Sequence, residues 1–309
     1  IVGTIFASVC YSIIKKSPPT DLNNLSSSFE QTSYIYDEKG ELLEKIDARQ
    51  YRTILSIDEI PKVIQDTFVS IEDQRFYTHH GIDLKSIAGA TFTNIKSKNL
   101  VRGGSTITQQ LVKNVYLSNE KTLTRKIREA YLALRVESVL DKPEILEGYL
   151  NRIDLGQGAF GVEAASQSYF SKPAKDINLA QAALLAGIAK SPVEYPPVKR
   201  LTVDNFDKDK NKLVGTTVID GTEYYIVLND KAFERQKIVL KKMLELGKIT
   251  EEEYKDALNF DIVGSIKPGI KKYHQMSSYS TDFIKAQATK ELMKLFNVSA
   301  DEAEYKLLT

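Results

Sequence analysis

The residues best suited to chemistry lie together in the run I-E-D-Q-R-F-Y-T-H-H-G, between Ile71 and Gly81. Glu72 and Asp73 are adjacent carboxylates, and Arg75 follows Glu72 three positions later. Large apolar residues surround Glu72 in the sequence. Their burial would take its carboxylate out of water and raise its pKa toward the range of a general base or acid. The alternative is an ordinary surface ion pair between Glu72 and Arg75.

A second run, R-G-G-S-T-I-T-Q-Q-L-V-K-N-V-Y, predicts a helix that begins after its two glycines. Thr106, or the serine before it, can cap this helix, whose free N-terminal amides suit an anionic ligand. Counted from Thr106, the side chains of Gln110, Lys113 and Asn114 fall on one helical face. Such a stripe is usually a solvated surface. Here its short amide and hydroxyl groups favour hydrogen bonding to a ligand.

A third run, T-L-T-R-K-I-R-E, predicts a helix with cations at Arg125, Lys126 and Arg128 and a carboxylate at Glu129. Clustered cations of this kind can bind a phosphate or pyrophosphate. Arg125 and Glu129 are also i, i+4 neighbours, so an exposed helix with salt bridges is the alternative.

Composition excludes several classes of function. The chain has 42 basic and 41 acidic residues, without the basic excess of a nucleic-acid-binding surface. Cys10 is the only cysteine, so neither an intramolecular disulfide nor a cysteine-based zinc site can form. The three histidines lack metal-ligand spacing such as H-E-x-x-H.

The elements around these runs are mostly helical. Two apolar runs flanking residues 37–40 predict a small β-hairpin. Ser56 or Asp58 is expected to cap a helix that has Pro61 in its first turn and leads into Glu72. Asp83 is expected to cap a further helix with a thin polar side, which either lies on a membrane surface or packs inside the protein. The run I-N-L-A-Q-A-A-L-L-A-G-I is apolar nearly all round and predicts a core helix.

The start of the chain predicts an anchor. Residues 1–14 carry no charge, and we interpret residues 1–16 as the end of a truncated transmembrane helix. A signal-peptide core and a buried core helix are the alternatives. Residues 17–33 are rich in Ser, Asn and Pro and predict a linker.

Five runs in order resemble the motifs of glycosyltransferase family 51, the peptidoglycan glycosyltransferases of class A penicillin-binding proteins and their monofunctional relatives. They are E-D-Q-R-F-Y-T-H-H-G, G-G-S-T-I-T-Q-Q-L-V-K-N, R-K-I-R-E, K-P-E-I-L-E-G-Y-L-N and G-A-F-G-V-E-A-A-S-Q-S-Y-F. The resemblance implies a mainly α fold, with a lysozyme-like head lobe and a smaller membrane-associated jaw lobe near residues 83–102. It assigns residues 34–199 to the glycosyltransferase domain.

The same resemblance implies the reaction. Glu72 would be the general base that activates the acceptor hydroxyl of lipid II, giving a β-1,4 linkage by inversion and releasing undecaprenyl pyrophosphate. Glu129 matches the family's second essential carboxylate, which orients the donor or helps to bind a divalent metal, Mg or Mn, at the pyrophosphate. No organic cofactor is expected. The matching substrate-binding positions are Asp73, Phe76, His79, Thr106, Gln110, Lys113, Asn114, Arg125 and Lys126.

The implied partners are lipid II, the growing glycan strand, other wall-synthesis proteins, and the membrane, contacted through the N-terminal helix and the jaw. The implied location is the bacterial cell membrane, as a single-pass protein with its catalytic domain on the extracytoplasmic face.

Beyond residue 199 the sequence departs from this pattern. Residues 200–229 predict an inserted β-hairpin with Asp220-Gly221 in its turn. The run D-K-D-K-N within it lacks the glycine and glutamate of a calcium loop and predicts a solvated turn. Residues 230–270 predict the C-terminal helical part of the region, and residues 271–309 the start of a linker toward a transpeptidase domain. S-x-x-K matches occur without K-T-G, so we expect no transpeptidase activity from this sequence.

Two rival functions stay open at this point. A glycan-cleaving, lysozyme-like enzyme would also use a glutamate, but it would not need the cations of Lys113 and Arg125, since no pyrophosphate leaves. A catalytically silent, membrane-anchored wall scaffold would not need Glu72 and Glu129.

Overall fold

The computed structural model describes residues 11–15, 33–36, 42–46, 54–97, 103–117, 122–219, 221–267 and 279–296. These residues are mainly helical, as predicted. The named helices are α1 (Lys62–Glu72), α2 (Leu84–Ser97), α3 (Ile107–Tyr116), α4 (Leu123–Val136), α5 (Lys142–Leu150), α6 (Val162–Phe170), α7 (Leu179–Ile188), α8 (Asp230–Glu245), α9 (Glu251–Asn259), α10 (Ile262–Ser265) and α11 (Tyr279–Phe296). Residues 11–15 are also helical.

Two small antiparallel sheets accompany the helices. β1 (Ser33–Tyr36) pairs with β2 (Leu42–Ile46), which confirms the predicted hairpin, although its turn lies outside the described residues. The second sheet has the order β3-β5-β4, from β3 (Val198–Thr202), β4 (Leu213–Ile219) and β5 (Thr222–Leu228).

The predicted second hairpin, β4–β5, is therefore confirmed, with Gly221 at a φ of 75° in its turn. Glycine adopts such a positive φ more readily than other residues. The sequence did not predict β3, which pairs with β5 from Val198 opposite Leu228. The expected solvated turn is also present, with an exposed ion pair between Lys210 and Asp207.

The centre of the core is α7, in which every residue after Leu179 is buried, as its sequence predicts. It packs against α1 and α8, and these two helices also pack against each other. Leu184 and Leu185 are fully buried, and burial of each such side chain contributes about 1.5–3 kcal/mol. The core thus holds the end of α1, where Glu72 lies, beside α8.

A second group of helices places the polar face of α3 next to α1. The helix α3 packs against α4 and α5, and its buried side includes Ile107, Leu111 and Val112. On another side of α3, the Gln110 side chain faces the end of α1.

Helix starts follow the sequence with one exception. Asp83 caps α2 by accepting from Ser86 N at 2.9 Å, as predicted. The predicted cap of α1 at Ser56 or Asp58 is wrong, because α1 begins at Lys62 with Pro61 in the N-cap position. Proline disfavours helical geometry in the residue before it, so residues 57–60 form a turn and the helix starts only after Pro61.

The predicted anchor and linkers fall largely outside the described residues. Residues 1–10 and 16–32 are not described, and residues 268–278 and 297–309 are not described either. Within the described part of the chain, every helix is too short or too polar to cross a membrane. The proposed boundaries at residues 16, 33, 199, 229 and 270 stay predictions.

Candidate active site

Glu72 is the last residue of α1, and its side chain is half-buried. Burial is the main cause that raises the pKa of Glu72 above its usual value, and the neighbouring charge of Asp73 raises this pKa further.

Arg75 does not pair with Glu72. Its Nε donates to Asp83 Oδ2 at 2.8 Å, and the two side chains form an ion pair. The surface ion pair between Glu72 and Arg75 that the sequence left open is therefore wrong.

Gln110 on α3 holds the Glu72 carboxylate. Its Nε2 donates to Glu72 Oε2 at 2.8 Å, and this bond partly offsets the rise in the pKa of Glu72. One carboxylate oxygen is therefore fixed by an amide from a neighbouring helix. A carboxylate with a raised pKa and a fixed orientation suits general-base chemistry.

Glu72 lines a cavity of about 830 Å³. Five of the predicted site residues line it, namely Glu72, Asp73, Thr106, Gln110 and Lys113. Between α2 and α3 its wall is formed by Gly103, Gly104 and Ser105. A Cβ at Gly104 would lie 3.1 Å from Ile87 Cα, so a larger residue would fit tightly against α2 there.

Asp73, which lines the cavity, and His79 are both buried and bind each other. His79 Nε2 lies 2.8 Å from Asp73 Oδ2, which also accepts from the backbone N of Ile107 at 3.0 Å. Phe76 is fully buried and packs edge-on against His79 with ring centroids 6.2 Å apart. This cluster ties the end of α1 to the first turn of α3, so these residues fix the geometry of the site from below.

Thr106 has structural partners for its hydroxyl. Its Oγ1 donates to the carbonyl of Gly81 at 2.6 Å and accepts from Gln109 N at 3.1 Å. With Gln109 it forms a capping box at the start of α3. The same hydroxyl thus fixes α3 against the loop that follows Glu72.

The predicted pyrophosphate cations form a cluster around Glu129. Glu129 is buried, and it accepts from Arg125 Nη1 at 2.5 Å and pairs with the ammonium of Lys126. Lys126 also donates to Ser105 Oγ at 2.7 Å. Lys113 is a neighbour of this cluster and also lines the cavity, and burial lowers its pKa. The cluster therefore adjoins the cavity through Lys113 and Ser105, while Arg125, Lys126 and Glu129 do not line it.

Asn114 lies apart from the other predicted residues. It is exposed on α3 and does not line the cavity. The side chain of Gln110, one turn earlier, faces Glu72 instead, so the predicted polar face divides between the cavity and solvent.

Sequence reasoning missed a second group of cations around the cavity. Arg235 on α8 lines it, and its charge lowers the pKa of Glu72. Lys190, Lys241 and Lys242 line it as well. The spacing of Arg235, Lys241 and Lys242 on α8 is a sequence signal, but it equally fits the exposed side of an amphipathic helix. Only the packing of α8 on α1 and α7 brings them to Glu72.

The donor set does not form a metal site of its own. No group of three or more His, Cys, Asp or Glu side chains that could hold a metal occurs among the described residues. Both carboxylate oxygens of Glu129 are engaged by Arg125 and Lys126, so this residue does not fit the role of metal ligand in the present arrangement.

Comparisons with known proteins show the family of this chain. The transglycosylase family profile matches residues 39–244, more than half of the 309-residue chain. The chain therefore belongs to the transglycosylase family. It is 36% identical over 324 residues to penicillin-binding protein 1A of Clostridium acetobutylicum, and 41% identical over 256 residues to that of Aquifex aeolicus.

These alignments cover 100% and 83% of the chain, but only 39% and 31% of the two relatives. The chain thus spans well under half of the length of these proteins. Among solved structures, the crystal structure of penicillin-binding protein 1A from Haemophilus influenzae matches 88% of this chain and 25% of its own, with 20% identity and a TM-score of 0.39.

Proposed function

We propose that this chain is a peptidoglycan glycosyltransferase that polymerises lipid II into β-1,4 glycan strands. The observation that carries the proposal is Glu72, a half-buried carboxylate held by Gln110 on the wall of a large cavity lined with cations. Membership of the transglycosylase family supports the same reaction.

In the proposed reaction, Glu72 removes the proton from the 4-hydroxyl of the acceptor sugar. The acceptor oxygen attacks the anomeric carbon of the growing glycan, and the bond from that carbon to the pyrophosphate breaks. Inversion converts the α-linked donor into a β-1,4 product, with undecaprenyl pyrophosphate as the leaving group. The raised pKa of Glu72 supports this role, because a base works best when its pKa lies near the working pH.

The leaving pyrophosphate needs positive charge nearby, since charge develops on it in the transition state. Lys113 is the cation that both lines the cavity and adjoins the Arg125, Lys126 and Glu129 cluster. We assign the pyrophosphate to this side of the cavity. Glu129 then acts by holding Arg125 and Lys126 in place.

A divalent cation, Mg or Mn, is part of the proposal only as a companion of the substrate pyrophosphate. Mg²⁺ commonly binds through substrate phosphates and few carboxylates. Addition of a chelator to the polymerisation assay tests the requirement, and unchanged polymerisation would remove the metal from the proposal.

We further propose the two-lobed arrangement of the family, with α2 in a jaw that contacts the membrane. Leu84 is 76% exposed and Ile87 is 38% exposed on this helix. Tyr77, in the segment before the helix, is 48% exposed. Exposed apolar side chains on one helix support contact with lipid. A single-pass anchor, an extracytoplasmic position and contacts with other wall-synthesis proteins complete the proposal. Co-sedimentation with anionic lipid vesicles, compared with Leu84→Ser, tests the jaw.

The deciding experiment incubates the detergent-solubilised chain with labelled lipid II and a divalent cation and resolves the products by size. Long strands that disappear in Glu72→Gln would support the transferase and its base. Shortening of preformed glycan without polymerisation would favour the glycan-cleaving enzyme. Neither activity would favour the scaffold and would refute the proposed function.

A further inference from the structure

The hydroxyl of Tyr149 on α5 is a polar group that the proposed reaction has not used. Tyr149 is fully buried, and within the described residues its Oη has no hydrogen-bond partner. Buried hydroxyl groups are usually hydrogen-bonded, because leaving one unpaired costs free energy. An unpaired hydroxyl in the core therefore calls for an explanation.

Tyr149 packs against α1, the helix that ends at the Glu72 carboxylate. The ring of Tyr149 packs edge-on against Phe68, with centroids 6.3 Å apart and planes at 75°. Phe68 lies one helical turn before Glu72 on α1. The helix α5 also packs against α3, which supplies Gln110 to Glu72. Tyr149 thus lies in the layer where the end of α1 meets α3.

The charges near the hydroxyl agree with this placement. Burial, and then the charges of Glu72 and Asp73, raise the pKa of Tyr149, so the hydroxyl stays protonated and can only be a neutral donor toward them. Asp73 Oδ2 already has two partners, His79 and the backbone N of Ile107. Among the described residues, Glu72 has one side-chain donor, Gln110.

We propose that Tyr149 is a positioning residue for Glu72: because its hydroxyl has no direct partner among the described residues, it binds the charged carboxylate through one buried water. This inference rests on the proposed function of Glu72 as the base. Ser70 on α1 also has a buried hydroxyl without a partner among the described residues, and it would share such a water. In this proposal, Gln110 fixes the orientation of the Glu72 carboxylate. The Tyr149 hydroxyl further stabilises the charged form of that carboxylate.

Tyr149→Phe tests the proposal, since it removes the hydroxyl and keeps the ring against Phe68. Loss of a donor to the charged carboxylate raises the pKa of Glu72, and the acid limb of the kcat/KM profile for lipid II polymerisation should move upward by roughly half to one pH unit. KM should stay unchanged, because the hydroxyl does not reach the cavity. Thermal unfolding should show a lower Tm at pH values where Glu72 is charged, because the variant loses a donor that stabilises the charged carboxylate.

Tyr169→Phe is the matched control. Tyr169 is equally buried, but its hydroxyl donates to the backbone oxygen of Leu155 at 2.8 Å. Loss of the Tyr169 hydroxyl should lower the Tm and leave the pH profile of kcat/KM unchanged. A fluorinated tyrosine at position 149, with a more acidic hydroxyl, provides a second variant that keeps the native shape. As a stronger donor it should move the acid limb downward.

Two results would overturn the inference while leaving the function intact. In the first, the wild-type chain polymerises lipid II and the folded Tyr149→Phe variant shows the same pH profile of kcat/KM. The other is a fluorinated variant whose acid limb moves upward. Absence of polymer from the wild-type chain would instead refute the proposed function itself.

Discussion

The hydrogen bond from Gln110 to Glu72 gives the sharpest prediction about the proposed base. Gln110→Met keeps the length of the side chain and removes the Nε2 donor that lies 2.8 Å from Glu72 Oε2. This donor lowers the pKa of Glu72 against the larger effect of burial. Without it, the charged carboxylate loses a partner, and we expect the pKa of Glu72 to rise further.

The size of the effect follows from the chemistry of the bond. Hydrogen bonds to charged groups contribute about 1.5–3 kcal/mol, and one pKa unit corresponds to ~1.4 kcal/mol. Because Glu72 is only half-buried, solvent screens the interaction, and we expect a shift of about one unit. At a pH equal to the wild-type pKa, the fraction of charged base would then fall roughly fivefold.

The assay is kcat/KM for lipid II polymerisation across pH, measured beside Gln65→Met. Gln65 donates to the backbone oxygens of Ile57 and Ile60 and makes no contact with Glu72. We expect Gln110→Met to move the acid limb and Gln65→Met to leave it in place. A folded Gln110→Met variant with the wild-type acid limb would refute the assignment of Glu72 as the titrating base.

Three further predictions concern stability and charge. Because burial raises the pKa of Glu72 in the folded chain, its charged form destabilises the fold as the pH rises. Glu72→Gln should therefore raise the Tm at pH values above that pKa, with the difference vanishing below its ordinary value of 4.5. Gly81→Ala should destabilise the chain by about 3 kcal/mol in denaturant unfolding, because Gly81 has a φ of 83° and its Cβ would lie 2.6 Å from a backbone oxygen of α4. Arg235→Met should raise the KM for lipid II by about tenfold, through loss of a cation from the cavity wall.

The glycine and arginine predictions each have a control variant in the same chain. Gly215→Ala meets open space and should leave unfolding nearly unchanged, so equal effects at Gly81 and Gly215 would contradict the steric argument. Lys237→Met removes an exposed cation of α8 that pairs with Glu234, and it should not change KM. A higher Tm of Glu72→Gln at acidic pH alone would contradict the sign of the linkage.

Much of the site was readable in the sequence, because its motifs are local. The spacing of Thr106, Gln110 and Lys113 put them on one face of a helix, and α3 keeps them there at the cavity wall. The apolar residues around Glu72 predicted its burial. The capping signals at Asp83 and Thr106 start their helices as expected.

Other features could not be read from local patterns. β3 pairs directly with β5, so residues 198–202 lie beside residues 224–228 although β4 comes between them in the chain. Sequence alone does not fix such a register. The predicted cap of α1 was wrong because proline disfavours helical geometry in the residue before it. The helix therefore begins only after Pro61. Asn114 shares a helical face with Gln110, yet it faces solvent, because the neighbouring helices cover only part of that face.

The sequence by itself determined the helical character, the buried α7, the two hairpins and the carboxylates and cations of the motifs. These depend on periodicity, turn residues and caps, which act over a few neighbouring positions. Only the tertiary structure decided that Arg75 binds Asp83 instead of Glu72, and that Arg235 joins the cavity from α8. These outcomes depend on how distant helices pack, and it is that packing which sets the solvation and the charge around Glu72.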